Sequence, residues 1–444
     1  MMLKINRRIG FYSLLACLLI FLFLRNAFQL VIPMMLLSLI VIAAMALGNR
    51  DEMIAMLLCC IPLHSTLDLF LIMGSGAILY LVKNYSRMRL GGFVVLVLVM
   101  LFWEFLHCFE VGFSLKITLG AVVALVVLAV IVSSDIENVD YSFVIRVMAI
   151  FSLCVCMVCF MNLLMNADFN VLTALKSMQR LGDVYEGDSV LSESINPNTL
   201  GIINLLVVSA LIQLRFLKQN KKSDNIIIFV LLLFGLLTAS RTFLVCVLVA
   251  MLCFVMGLSG TLMKKLRFLA MMLLFAGIIA LVYMWIFPDS FNFFVSRFLD
   301  GNILGGRDTL MSEYHEYLFS HADTMIFGVG LSNFAEKVTH TITDTVPHNC
   351  IQEIIVAWGI PGLCMMLLMI VMMIWEAKKR VKRMALMNYI PLILILFKSL
   401  AGQFLTSAYT MLALILVFLS LCQNFQLQET NESDYELVAS KTNL

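Results

Sequence analysis

The chain has 444 residues with a net charge of +2; 62% of its residues are apolar and only 13% are charged, giving a mean hydropathy of +1.00. A water-soluble fold carries about a quarter charged residues, so a soluble enzyme is excluded. The 30 basic residues are scattered in small clusters rather than gathered on one face, which argues against nucleic acid as a partner.

Long apolar runs separated by short charged punctuation predict an all-α polytopic integral membrane protein, with one transmembrane domain over 1–421 and a polar cytoplasmic tail over 422–444. The runs fall at about 9–24, 27–47, 53–82, 91–109, 115–132, 141–165, 198–217, 226–258, 268–287, 349–375 and 384–421. The basic N-terminus resembles a signal peptide, but no small-residue cleavage site follows it, so the first run is read as a retained span. Most of the twelve cysteines, among them Cys59, Cys60, Cys154, Cys156, Cys159, Cys246 and Cys253, sit inside these runs. There they are better read as small buried hydrophobes than as ligands.

Three runs, 53–82, 226–258 and 384–421, exceed the ~20 residues that a helix needs to cross a bilayer core. Each has a polar break, at 62–66, 238–242 and 398–403. Basic residues favour the cytoplasmic side. Arg50 precedes the first of these runs, and Lys83, Arg87 and Arg89 follow it, so both flanks belong inside and the run must be a hairpin. Lys218, Lys221 and Lys222 bracket the second run with Lys264, Lys265 and Arg267 in the same way. Counting hairpins as two spans gives 14 crossings with both ends inside; re-entrant halves lower this, for a range of 10–14.

This topology leaves 166–197 and 288–348 outside as loops. The second, the large extracytoplasmic loop, is far longer than a connection requires and holds His315, His321, His340 and His348. The first contains Arg180 and the carboxylates Asp183, Glu186 and Asp188, which lack a tight pattern for a hard cation. Glu104, His107 and Glu110 share a helical face, as a polar network toward a cavity or, by slight preference, as an interface patch at the outer end.

Three residues carry candidate chemistry. Arg241, between two apolar runs, either snorkels to headgroups or clamps an anion with its planar fork. Arg307 follows Gly305 and Gly306, with Asp308 as candidate N-cap of a helix bearing Leu310, Tyr314, Tyr317 and Leu318. That places Arg307 at an anion-favouring helix start, or on a plain capped surface helix. His348 opens a span at the outer boundary, as a cap or as a proton acceptor near neutral pH. Pro361-Gly362 predicts a bend in that span.

Four stretches together resemble the bacterial O-antigen ligase and O-antigen polymerase superfamily over about 175–375. They are Asn196-Pro197-Asn198, Ser240-Arg241-Thr242, Phe327-Gly328-Val329-Gly330-Leu331-Ser332-Asn333-Phe334, and His348-Asn349 followed after nine residues by Gly359-Ile360-Pro361-Gly362. The resemblance implies a metal-independent, cofactor-free inverting glycosyltransferase of the bacterial inner membrane, with its site on the extracytoplasmic side. Its substrates would be a polyprenyl-diphosphate-linked oligosaccharide and an acceptor glycan, with membrane lipid around it and flippase and chain-length regulator proteins as candidate partners. His348 corresponds to the family's loop histidine and Arg241 to its hairpin arginine. Arg307 matches the arginine ahead of the loop helix, although the aromatic that often follows is displaced. Arg180, Asn198 and Asn349 are the matching diphosphate- or substrate-binding positions. Polymerisation of repeat units is favoured because it needs no specialised outer membrane acceptor; transfer of the finished glycan by a ligase is the alternative. A transporter or flippase is the rival class, which would show internal repeats and midplane charges.

Overall fold

The computed structural model describes residues 2–28, 30–89, 91–108, 115–136, 139–176, 180–182, 195–258, 260–299, 307–331, 333–334, 338 and 346–425. Among them are eighteen α-helices: α1 (Met2–Ala27), α2 (Met34–Leu47), α3 (Arg50–Cys59), α4 (Leu69–Asn84), α5 (Gly92–His107), α6 (Leu115–Ser133), α7 (Tyr141–Met165), α8 (Val171–Lys176), α9 (Pro197–Phe216), α10 (Lys222–Leu237), α11 (Arg241–Gly257), α12 (Leu262–Ile286), α13 (Pro288–Leu299), α14 (Arg307–Ser320), α15 (Ala322–Phe327), α16 (Cys350–Lys378), α17 (Leu386–Ser399) and α18 (Ala408–Leu421). No strand occurs among the described residues, and the fold class is all-α.

Among the described residues, six helices are long and apolar enough to cross a membrane: Arg7–Arg25, Leu69–Arg87, Tyr141–Met165, Pro197–Phe216, Leu262–Ile286 and Cys350–Lys378. The outer faces are as apolar as the interior. No residue of the span in α12 whose side chain is described is buried, and Trp285 is 84% exposed. Such a surface needs a non-aqueous surrounding, which is compatible with a multi-pass membrane protein.

Each long apolar run is divided where its polar break lies. The run 53–82 becomes α3 and α4, 226–258 becomes α10 and α11, and 384–421 becomes α17 and α18. Local chemistry starts several of these helices: Asn49, Asp68, Asp140 and Ser240 accept the backbone N–H groups of Glu52, Leu71, Phe143 and Phe243. Between α10 and α11 the chain reverses through Ala239, whose φ of +46° ends α10 in the left-handed region.

Basic side chains collect at one end of the bundle, where they satisfy helix-end carbonyls. Arg380 donates to Val132 O and Ser134 O, each at 2.6 Å, and Arg50 to Asp135 O at 2.5 Å, closing the end of α6. Lys83 donates to Met45 O (3.1 Å) and Gly48 O (2.9 Å) beyond α2. Arg146 on α7 forms a two-point ion pair with Asp224 on α10 (3.1 and 3.0 Å). The core behind this end is tied by Gln213, which donates to Met387 O and Ser420 Oγ and accepts from Tyr141 Oη.

The segment expected as a large loop, 288–348, contains three helices, α13 to α15. Leu310, Tyr314, Tyr317 and Leu318, read as one face of a helix, are the buried residues of α14. Residues 300–306, 332, 335–337 and 339–345 of this segment, with Gly305, Gly306, Ser332 and His340, lie outside the described residues, as do Glu110, Asp183, Glu186, Asp188 and the tail beyond 425.

The glycine-rich stretch at 327–334 has a structural task. In α16 the backbone breaks at Gly359 (φ +67°), and Pro361 has no N–H for Ala357 O. The freed carbonyls are satisfied from elsewhere: Val329 N donates to Val356 O (2.9 Å) and Gly330 N to Ala357 O (2.7 Å), while Trp103 Nε1 donates to Trp358 O (3.0 Å). Gly328 and Gly359 let the two backbones touch; a Cβ on either would fall on a carbonyl of the other strand of chain. Glu104 completes the junction by accepting from Leu331 N (3.1 Å) and Trp358 Nε1 (2.6 Å). Glu104 and His107 are therefore buried at this junction, which replaces the expected interface patch. Their shared face turns toward α16 because the kink offers polar groups that lipid does not.

Candidate functional site

Five segments converge at the end of the bundle away from the basic clusters. The first is the start of α9, where Asn196 Oδ1 accepts Asn198 N at 2.9 Å and Pro197 occupies a helix position that needs no N–H. Arg180 braces it. Its Nε donates to Thr238 O (2.9 Å) at the carboxyl end of α10, and its Nη2 to Asn198 Oδ1 (3.1 Å).

The second segment is the α10–α11 turn, from which half-buried Arg241 opens α11 with Thr242 beside it. The third is the start of α14, where Arg307 Nη1 donates to Ala401 O at 2.7 Å. Asp308 lies within the first turn of α14 and is exposed, so it is not the residue that precedes the helix as expected. The fourth is the approach to α16. Here Asn349 Oδ1 accepts Ile351 N (2.9 Å) and Gln352 N (3.3 Å), which leaves His348 immediately ahead of the capped helix.

The fifth segment is the turn between α17 and α18, which the sequence reading used only as a break. Lys398, 8% exposed, donates from Nζ to Gln403 O (2.7 Å) and Thr410 Oγ1 (3.1 Å). It also lies 4.8 Å above the Tyr409 ring. The turn is fastened to α16 by fully buried Glu353. Glu353 Oε2 accepts Phe404 N (2.6 Å) and Leu405 N (3.2 Å), and Oε1 accepts Thr406 N (2.8 Å) and Thr406 Oγ1 (2.6 Å).

These segments enclose a cavity of about 110 Å³, lined among others by Asn198, Thr199, Thr242, Arg307, His348, Lys398, Gln403, Ser407 and Tyr409. Of the sequence-selected residues, Arg307, His348 and Asn198 reach its wall. Arg241 adjoins it through Thr242 and sits close enough to Arg307 to act on its charge. Arg180 and Asn349 are not among the lining residues; the first orients Asn198 and the second caps α16. His315 and His321 are exposed and pair with Phe319 and Tyr317 on α14 instead.

The electrostatics follow from crowding of like charge. Burial first, and then Arg241, lower the Arg307 guanidinium from its ordinary range; an arginine keeps its proton regardless. Burial, then Arg307 and Lys398, hold the His348 imidazole below its usual value. The arrangement joins cationic donors suited to an anion with a histidine kept in its neutral, proton-accepting form.

Lys398, Tyr409 and Glu353 were missed from the sequence. Lys398 carried a usable signal, since a lone lysine inside an apolar run is costly and marks function by default. Compared with known proteins, the chain matches no protein-family model and no curated protein. The family resemblance rests on its short motifs alone.

Proposed function

We propose that this chain is a membrane glycosyltransferase that polymerises polyprenyl-diphosphate-linked oligosaccharide repeat units on the outer face of the bacterial cytoplasmic membrane. The observation that carries the reading is the meeting of Arg307 and His348, distant in the sequence, on one cavity at the end of the bundle opposite the basic clusters, with Arg241 close by Arg307. In this reading the alternating helices make 14 crossings, the basic end faces the cytoplasm, and the cavity opens outward.

The chemistry needs two things. A glycosyl diphosphate already carries a good leaving group, so the site must stabilise the departing charge and remove a proton from the incoming hydroxyl. His348 accepts the acceptor's hydroxyl proton as that oxygen bonds to the anomeric carbon. The bond from that carbon to the diphosphate oxygen breaks on the opposite face, with inversion, and the lipid diphosphate leaves against Arg241 and Arg307. Arginine suits this because its fork binds diphosphate oxygens in pairs.

Membrane extracts carrying His348→Ala or Arg241→Lys test the reading: each lowers glycan transfer by about 100-fold or more, and full activity in both rejects it. A deletion strain limited to single repeat units supports polymerisation. Finished chains retained on the lipid carrier would point to ligase activity instead.

A further inference from the structure

We infer that Lys398 is a third cation of this anion site, contacting the diphosphate directly beside Arg241 and Arg307; the inference rests on the functional reading above. Lys398 sits near the end of α17, is almost fully buried, and lines the same cavity as Arg307 and His348. Its partners are all neutral: a backbone carbonyl, the Thr410 hydroxyl and the Tyr409 ring. Among the described residues no carboxylate lies within ion-pairing distance of it. Glu353, on the neighbouring helix, uses both oxygens on the 404–406 backbone and Thr406.

A buried ammonium without a counter-charge is costly, and the Arg307 guanidinium on the same cavity wall raises that cost. A lysine serving only to close the α17–α18 turn would not need to face a cavity shared with Arg307 and His348. An anion within the cavity supplies the missing charge. Lysine contributes a compact point charge, whereas the arginines contribute paired donors, so Lys398 suits one phosphate oxygen rather than a two-point grip. The approach of Lys398 to His348 further favours the neutral imidazole, which ties diphosphate binding and proton acceptance to one group of side chains.

The test uses the full chain reconstituted in lipid nanodiscs, with inorganic pyrophosphate as the probe and calorimetry as the readout. Lys398→Gln and Lys398→Met weaken pyrophosphate binding by about tenfold or more, with the unfolding midpoint unchanged, while Lys398→Arg stays within about threefold of the parent. If both neutral variants bind as the parent does and Arg307→Gln loses binding, the inference fails and the anion site stands. If the parent itself does not bind pyrophosphate, the anion-site reading fails and takes the inference with it. Should the neutral variants not fold, the unmodified chain is treated with pyridoxal phosphate, whose aldehyde condenses with a nearby amine, followed by borohydride reduction. Labelling of Lys398 that pyrophosphate blocks is the expected result; no label, or label indifferent to pyrophosphate, overturns the inference.

Discussion

At His348 the surroundings and the proposed chemistry pull in the same direction. Burial and the Arg307 and Lys398 charges depress its affinity for a proton, so the neutral base persists at neutral pH and activity falls only as pH drops through that lowered value. Arg307→Gln removes one repelling charge and moves the acidic limb of the kcat/KM profile upward, toward the ordinary imidazole value; an unmoved limb would refute the assignment of His348 as base. The linked stability has the same sign. It is fully present above the ordinary imidazole value and is lost as pH falls from there through the lowered folded value. Glu353 makes a different kind of prediction, because four donors of the 404–406 turn converge on it. Glu353→Ala strands them and lowers stability by about 3 kcal/mol, measured by denaturant titration. Arg241 and His348 were singled out in the sequence because each is a polar group bordering an apolar run, and Arg307 because it follows two glycines at the start of a helical spacing. Glu353 was not, since its partners arrive from beyond the next helix and no local pattern announces them.

Among the elements, α16 shows most plainly where reading a sequence succeeds and where it stops. Pro361-Gly362 announced a bend, but not what would satisfy the carbonyls the bend sets free. Those partners, Val329, Gly330 and Trp103, come from two other parts of the chain. The resemblance motifs at 327–334 and 359–362 are thus, in physical terms, the two halves of one backbone contact. Gly359→Ala or Gly328→Ala drives a Cβ into the opposing carbonyl and forces a strained positive φ. Each costs several kcal/mol, on the order of 3 or more, seen as a lowered unfolding midpoint or loss of the monodisperse protein. Gly277→Ala on α12 meets nothing within 4 Å and is neutral or slightly stabilising by helix propensity. Equal effects at the three positions would refute the junction. The hairpin breaks were readable for a simpler reason: basic flanks on both sides of an overlong run leave the chain no other route.

Across the whole molecule, the separation of basic ends from the cavity gives a test of orientation. Asp308→Cys, beside the cavity, reacts with a membrane-impermeant maleimide on intact spheroplasts, whereas Lys379→Cys at the opposite end reacts only after lysis, each compared with the parent's own labelling. The reverse pattern would remove the outward-facing site. At this scale the long apolar runs already pointed to the all-α architecture, because apolar surroundings leave only helices and closed barrels, and runs of ~20 apolar residues suit the helix. Composition could not say which helix ends meet, since that depends on side-chain packing over hundreds of residues. The α17–α18 turn works as a mechanical coupling. Through Glu353 the α17–α18 turn is bolted to the first turns of α16, and through Ala401 it also holds Arg307. His348, Lys398 and Arg307 are therefore held to one another, and Arg241 joins the same group through α11, which packs along α17. In the proposed transfer, a long, bulky glycan can then pull on the site without disturbing the registry between the group that takes the proton and the charges that receive the leaving phosphate.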